Sequence, residues 1–222
     1  MTINHQISSL ERQRAIQDLV EKQMRISVDA ICEAFSISGA TARRDLEILE
    51  LEGKIQRVHG GAICIDKAPP ELPILQREND QTEEKDCIGK AVAQLIEPGD
   101  TIFLGSGTTV LAVARQLHNC KNLTVLTNSL PIINLLVGWS GVDLIVLGGM
   151  LRDSELSFIG HITEKALTEV RADKVIMGAR AVSVEQGITN DFLLETLTDR
   201  AITKIGQKVI LAADHTKFGS VS

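Results

Sequence analysis

The amino-acid sequence predicts an α/β protein of two domains, a small helical domain with a β-hairpin followed by a larger parallel-sheet domain. Three observations lead to this prediction. Helical apolar spacing and cap residues dominate residues 8–53. Three of the five prolines fall within the segment KAPPELP, and short apolar runs alternate with helical stretches beyond it. We therefore assign residues 1–66 to the first domain, 67–79 to a proline-rich linker and 80–222 to the second domain.

The composition indicates a folded protein from a reducing compartment. Of the 222 residues, 44% are hydrophobic, which is enough to build a core. No apolar run approaches the ~20 residues of a membrane span, and the N-terminus lacks the apolar segment of a signal peptide. The four cysteines are scattered and no histidine spacing suits a metal, so we expect a cytoplasmic protein with no disulfide, metal, cofactor or membrane contact.

The first domain is predicted to contain three helices and a hairpin. The first helix opens with a capping box at Ser8–Glu11, and Ser27 and Ser38 are good N-caps for the second and third helices. Gly53 supplies the left-handed residue that ends the third helix. A β-hairpin is predicted around Gly60–Gly61. This order of elements is typical of a winged helix-turn-helix, whose third helix enters the major groove of DNA.

The third helix carries two arginines on the side away from the predicted core. Ala42, Leu46 and Leu49 share one face, so Arg43 and Arg44 point broadly the other way. The N-terminal half of a recognition helix meets base edges, and the arginine fork suits guanine or phosphate. The basic hairpin would hold flanking phosphates. We therefore predict DNA contacts from Ser38, Thr41, Arg43, Arg44, Lys54, Arg57 and His59.

The formal net charge of −6 does not exclude DNA binding, because the acidic surplus lies mostly in the second domain. Up to Lys67 there are 9 basic and 10 acidic residues, and the remainder of the chain holds 14 and 19. The alternative is a plain helical surface on which the two arginines pair with Asp45, Glu47 or Glu50. The caps, the apolar spacing and the basic hairpin together favour DNA.

Five apolar runs predict the parallel sheet of the second domain: TIFLG, LTVLTN, DLIVLGG, KVIMGA and KVILAAD. These runs are apolar throughout, as expected of strands covered on both faces. Helical stretches, such as residues 110–117 and 163–170, complete the β-α units. Ligands of such sheets bind at the carboxyl ends of the strands, so polar residues at those ends are candidate ligand contacts.

The segment GSGTT leaves the first strand and opens a helix. Glycines let backbone N–H groups approach an anion, hydroxyls add donors, and the helix N-terminus favours negative charge, so a phosphate is the predicted ligand. The alternative is that the glycines only form a tight turn. Lys217 would contact the phosphate and Asp214 a sugar hydroxyl. The predicted contacts at the strand ends are Gly105, Ser106, Gly107, Thr108, Thr109, Asn128, Ser129, Gly149, Arg152, Asp214 and Lys217, with Asp191 and Glu195 as weaker candidates.

The chain resembles the DeoR-type family of bacterial transcription regulators over almost its whole length. The resemblance is carried by TARRDLEILELEGKIQRVHGGA, EEKDCIGKAVAQLIEPGDTIFLGSGTT, TVLTNS, LIVLGGMLR and AADHTKFG. It implies an N-terminal winged helix-turn-helix that binds operator DNA and a C-terminal sensor domain similar to ribose-phosphate isomerase and CoA transferase folds. It also implies a homodimer or homotetramer that represses carbohydrate metabolism genes under the control of a phosphorylated sugar.

The sequence departs from the family pattern at several positions. Ala42 replaces a larger β-branched residue, and Arg180 stands where many members carry the acid of a Gly-Ala-Asp-Gly segment, which would add a phosphate contact. Asp199 stands where a lysine is frequent. The chain ends at Ser222, whereas relatives usually continue through another strand and helix.

The alternative function is a sugar-phosphate isomerase with an accessory domain. Its catalytic base would be Glu195, Asp191 or Asp214. No pair of acids has a diagnostic spacing, and a dedicated DNA module has no purpose in such an enzyme, so the regulator is favoured.

Overall fold

The chain divides into two compact units, with the boundary between Asp66 and Lys67. The computed structural model describes residues 8–64, 68 and 71–222. Within these ranges, no helix is both long and apolar enough to cross a membrane. The prediction of a small winged-helix unit followed by a parallel-sheet unit is confirmed.

The first unit contains three helices and a three-stranded antiparallel sheet. Its elements are α1 (Ser9–Gln23), β1 (Arg25–Ser27), α2 (Val28–Phe35), α3 (Gly39–Leu51), β2 (Ile55–Val58) and β3 (Gly61–Cys64). The strand order is β1-β3-β2, so the predicted hairpin gains a third strand that the sequence did not indicate. The three predicted serine caps each accept a backbone N–H at the start of their helix.

The core of the first unit follows the apolar spacing of its helices, with exceptions at Met24 and Ala34. Ala42, Leu46 and Leu49 are buried as predicted. Met24 does not extend the first helix: it ends α1 with a left-handed backbone and is 53% exposed. Ala34 is exposed as well, because it lies about 90° around α2 from the centre of its buried face.

The second unit is built around a five-stranded parallel sheet of order β12-β9-β4-β5-β6. All five predicted strands are present. The elements in chain order are α4 (Ile74–Arg77), α5 (Thr82–Ala93), β4 (Thr101–Leu104), α6 (Thr108–Gln116), β5 (Leu123–Thr127), α7 (Leu130–Leu136), β6 (Val142–Val146), β7 (Met150–Arg152), β8 (Ser157–Ile159), α8 (His161–Thr168), β9 (Ala172–Met177), β10 (Ala181–Ser183), β11 (Gly187–Thr189), α9 (Leu193–Ile205) and β12 (Gly206–Leu211). Two antiparallel pairs, β7-β8 and β10-β11, were not predicted.

Helices cover the two faces of the central strands. Because side chains alternate along a strand, Ile102 and Leu104 join a core with α5, α6 and α7, whereas Phe103 joins a second core with α8 and α9. The edge strands differ from the expectation of full burial. Ile145 on β6 is 42% exposed and Val209 on β12 is 44% exposed.

Part of the predicted linker packs against the second unit. The Ala68 N–H donates to the Val221 carbonyl at 2.9 Å, and the Ile74 N–H donates to the Ser154 carbonyl at 2.7 Å. Pro73 precedes the four-residue helix α4, and Ile74 is buried. The prolines marked a departure from regular structure, but they gave no indication of where the following side chains pack.

We predict that Gly61→Ala destabilises the first unit more than Gly60→Ala. A Cβ on Gly61 would lie 2.0 Å from the Ile26 carbonyl oxygen and 2.9 Å from the Ser27 Cα. Relieving this clash with backbone requires movement of β1, at an expected loss of about 3 kcal/mol in the free energy of unfolding. Gly60 has a φ of +82° with open space around it, so alanine there costs about 1 kcal/mol. Hydrogen exchange of peptides from residues 8–64 in the full chain measures both, and equal losses would contradict the prediction.

Candidate functional site

The start of α3 is held by the Ser38 cap. The Ser38 hydroxyl accepts the Thr41 N–H at 3.2 Å and lies 2.9 Å from the Thr41 hydroxyl oxygen. The Ser38 hydroxyl therefore caps the start of the helix. Both hydroxyls lie at the helix N-terminus, where a phosphate is favoured.

Arg43 and Arg44 are exposed on the following turn. The alternative, in which they pair with the acids of α3, does not match the structure. Asp45 accepts instead from Arg12 and Glu50 from Arg57. Among the described residues, no salt bridge involves Arg43 or Arg44.

Asp45 links the recognition helix to α1. Its buried carboxylate accepts from the Arg12 Nε at 2.7 Å, the Arg12 Nη2 at 3.2 Å and the Gln13 Nε2 at 3.0 Å. The hydrogen bond to Asp45 raises the pKa of Arg12. These bonds set the rotation of α3 about its own axis and hence the direction of the neighbouring arginines. The sequence analysis missed Arg12 and Gln13, because the two helices meet only through the tertiary fold.

The hairpin cations lie at the other end of α3. Lys54 pairs with Glu52 at 2.6 Å, and the Arg57 N–H donates to Glu50 at 3.0 Å. His59 is exposed at the turn. Glu50 lies seven positions after Arg43, about 10 Å along the axis of α3.

The second unit has a pocket at the carboxyl ends of β4, β9 and β12. The loop after β4 enters it: Gly107 has a φ of +107°, which side-chain-bearing residues rarely adopt, and α6 begins directly after it. Thr108 and Thr109 in the first turn are buried. Of the predicted effector contacts, this pocket brings together Gly105, Ser106, Gly107, Thr108, Thr109, Arg180, Glu195, Asp214 and Lys217.

Three basic side chains of this pocket contact one carboxylate, that of Glu71, which was not among the predicted site residues. Glu71 lies 2.9 Å from the Arg77 Nη1, 3.4 Å from the Arg180 Nε and 3.4 Å from the Lys217 Nζ. Arg77 also pairs with Glu155 at 2.5 Å. Three cations of the pocket therefore share one carboxylate, and the lining as a whole carries four basic and six acidic side chains.

Two further buried charges line the pocket. The Lys85 Nζ donates to the Arg77 carbonyl at 3.0 Å, and burial lowers the pKa of Lys85. Burial raises the pKa of Glu155 to about 7, against the opposing charge of Arg77. The sequence did not indicate these residues, because α5 and the turn between β7 and β8 reach the pocket from outside the ends of the parallel strands.

Five predicted effector contacts lie outside the lining of this pocket: Asn128, Ser129, Gly149, Arg152 and Asp191. The Asn128 side chain donates to the Phe158 carbonyl at 2.9 Å, and Ser129 is buried. A Cβ on Gly149 would lie 2.1 Å from the Thr163 hydroxyl oxygen, so this glycine permits close packing.

Arg152 belongs to an internal cluster beside the pocket. It pairs with Glu195, whose carboxylate also accepts from the Asn190 Nδ2 at 2.7 Å. The Arg152 guanidinium lies 4.4 Å from the centroid of the Phe192 ring. Asp191 is exposed next to this ring. Within the described ranges, no three His, Cys, Asp or Glu side chains are arranged to hold a metal.

A winged helix with unpaired arginines, joined to an α/β unit with a charged pocket at its strand ends, defines a DNA-binding regulator with a ligand-sensing domain. Comparison with known families agrees. The model of the DeoR-like helix-turn-helix domain matches residues 12–68, and the model of the DeoR C terminal sensor domain matches residues 80–222. The chain belongs to the DeoR family of transcriptional regulators.

Several relatives are regulators that align with most of the chain. The transcriptional repressor AccR of Agrobacterium fabrum is 34% identical over 95% of this chain and 82% of its own length. The glycerol-3-phosphate regulon repressor of Escherichia coli is 36% identical over 94% and 82%. The transcriptional repressor GlcR of Bacillus subtilis is 35% identical over 96% and 81%. These names identify the chain as a regulator rather than an enzyme.

Solved structures with a related sheet include ribose 5-phosphate isomerase A of Neisseria gonorrhoeae. The alignment covers 63% of this chain and 55% of the isomerase, at 17% identity and a TM-score of 0.47. At this level of similarity it carries no functional argument.

We predict that Asp199→Asn flattens the pH dependence of stability. Burial, with the nearby charge of Glu195, raises the pKa of Asp199 to about 7, whereas the unfolded chain loses this proton near pH ~4. The folded protein therefore holds more protons between these pH values, and the free energy of unfolding falls as pH rises through that window. Urea unfolding followed through Trp139 measures the slope. Glu155 contributes to the pH dependence in the same direction, so we expect Asp199→Asn to reduce the slope without abolishing it.

The control for this measurement is Asp153→Asn, at an exposed position. It should keep the wild-type slope between about pH 4 and 7. A slope that Asp199→Asn leaves unchanged would show that this carboxyl ionises normally in the folded protein.

Proposed function

We propose that this DeoR-family regulator is a repressor of carbohydrate metabolism genes whose DNA affinity is controlled by a phosphorylated sugar or related metabolite. The observation that carries the proposal is the pocket of the second unit. It combines a glycine-rich helix N-terminus with the cations Arg77, Arg180 and Lys217. Backbone N–H groups and fixed cations together form a site for a phosphate group.

The α3 surface supports the DNA half of the proposal. Arg43 and Arg44 reach base edges or phosphates from the N-terminal half of the helix, while Lys54, Arg57 and His59 hold flanking phosphate. A homodimer or homotetramer presents two such helices to half-sites about one helical turn apart. A protein that controls chromosomal genes acts in the cytoplasm, where we expect this chain.

The effector changes DNA binding only if it binds two states of the protein with different affinity. A phosphorylated compound is consistent with the names of relatives, since one is the glycerol-3-phosphate regulon repressor of Escherichia coli. The isomerase alternative gains no support from the pocket. The carboxylate of Glu195 is bonded to Arg152 and Asn190, and that of Asp214 accepts from Thr216, so neither is poised as a free catalytic base.

We predict that Arg43→Ala weakens DNA binding about tenfold and lowers the slope of log affinity against log salt by about 1. The physical reason is the loss of one guanidinium that neutralises phosphate or reads a guanine. Binding is measured by fluorescence anisotropy at several salt concentrations. The DNA is a fragment selected from a random pool by the wild-type protein.

Arg171→Ala serves as the matched control, because it removes the same charge from the second unit. The Arg171 guanidinium donates to the carbonyls of Thr168 and Val170 at the C-terminal end of α8. For Arg171→Ala, the slope of log affinity against log salt should equal the wild-type value. Equal slopes for Arg43→Ala and wild type would remove Arg43 from the DNA interface.

We predict that phosphorylated sugars raise the melting temperature of the full chain and that the same sugars without phosphate do not. Lys217→Gln should reduce the affinity for the stabilising compound about tenfold, because a charge-assisted bond to phosphate is lost. Lys208→Gln, at an exposed position of β12, is the control and should bind as wild type. Stabilisation by neutral sugars alone, in a thermal-shift screen of both sets, would refute a phosphate ligand.

A further inference from the structure

Glu71 lies near the start of the second unit. It stands five residues after Asp66, where the first unit ends. Its side chain is only 14% exposed and lies among Arg77, Arg180 and Lys217. A carboxylate from the connecting segment therefore lies among the cations proposed to bind an anionic ligand.

The contacts of the Glu71 carboxylate differ in length. The distance to Arg77 is 2.9 Å, which is normal for a charge-assisted hydrogen bond. The distances to Arg180 and Lys217 are both 3.4 Å, roughly 0.5 Å longer than such bonds. Arg77 has a second carboxylate partner in Glu155 at 2.5 Å, so it keeps a counter-charge when Glu71 moves away.

We propose that Glu71 is an internal stand-in for the anionic group of the effector, and that binding of the effector's phosphate at Arg180 and Lys217 displaces the Glu71 carboxylate. This inference rests on the proposed function, since it assumes an anionic effector in the same pocket. A phosphate offers more acceptor oxygens and more negative charge than a carboxylate, so it satisfies both cations with shorter bonds.

Displacement of Glu71 loosens a defined part of the chain. The segment is anchored on either side by the Ala68 N–H, which donates to Val221, and by the buried Ile74, whose N–H donates to Ser154. Ile74 keeps its apolar contacts when Glu71 leaves. The expected change is therefore confined to the residues before Ile74, which lead directly to the DNA-binding unit.

The competition predicts a gain in affinity when Glu71 loses its charge. A site that its internal carboxylate leaves open about one tenth of the time binds about tenfold more weakly than an open one. We therefore expect Glu71→Gln to bind inorganic phosphate about tenfold more tightly than the wild-type chain in isothermal titration calorimetry. Glu78→Gln is the matched control: Glu78 directly follows α4 and pairs with Arg115 at 2.5 Å, so the phosphate affinity of this variant should equal that of wild type.

A second measurement uses the wild-type chain and does not depend on the folding of a variant. Hydrogen exchange at the Ala68 amide should become several-fold faster when phosphate is added, while exchange at the Ile74 amide stays unchanged. The Glu71→Gln chain should show fast exchange at Ala68 with or without phosphate.

The outcomes separate this inference from the proposed function. Equal or weaker phosphate binding by Glu71→Gln, with clear binding by wild type, overturns the role of Glu71 and leaves the phosphate site standing. Unchanged exchange at Ala68 on phosphate binding also overturns it. If neither protein binds phosphate or any phosphorylated sugar, the proposed effector site fails, and the inference fails with it.

Discussion

The parallel register of the central sheet is the constraint on which the sensor site depends. Leu104 of β4 pairs with Ile176 of β9, and Met177 pairs with Leu211 of β12. The three strands therefore end at the same edge, and the loops that follow them must share one space. Residues far apart in the sequence, such as Gly105, Arg180 and Asp214, line a single pocket for this reason. The two buried cores on either side of the sheet hold the strands in this register.

Charge balance decides how the basic groups of the protein are used. In the first unit, the buried Asp45 accepts from Arg12 and Gln13. The described part of the chain forms no salt bridge with Arg43 or Arg44, the arginines proposed to contact DNA. In the second unit, Glu71 and Glu155 accompany the pocket cations. Buried cations without such partners would pay a large desolvation cost, so an anionic ligand must compete with carboxylates that are already present.

The sequence predicted features that depend on neighbouring residues. The serine caps, the buried face of α3, the five strands and the GSGTT loop all rest on patterns within about ten residues, and the structure contains each of them. The sequence did not indicate contacts between residues that lie far apart in the chain. Arg152, placed by pattern among the ligand contacts, pairs with Glu195 across 43 residues. Glu155 reaches Arg77 across 78 residues.

The amino-acid sequence alone determined the fold class, the order of the three N-terminal helices and the five parallel strands, and the family, because helix caps, apolar periodicity and glycine-rich turns act over short distances. Only the tertiary structure decided which charges meet. The rotation of α3 through Arg12 and Asp45, and the meeting of Arg77, Arg180 and Lys217 at Glu71, require chain segments that no local pattern connects. A charged side chain looks the same in a sequence whether it faces water or a buried partner, and packing alone distinguishes the two.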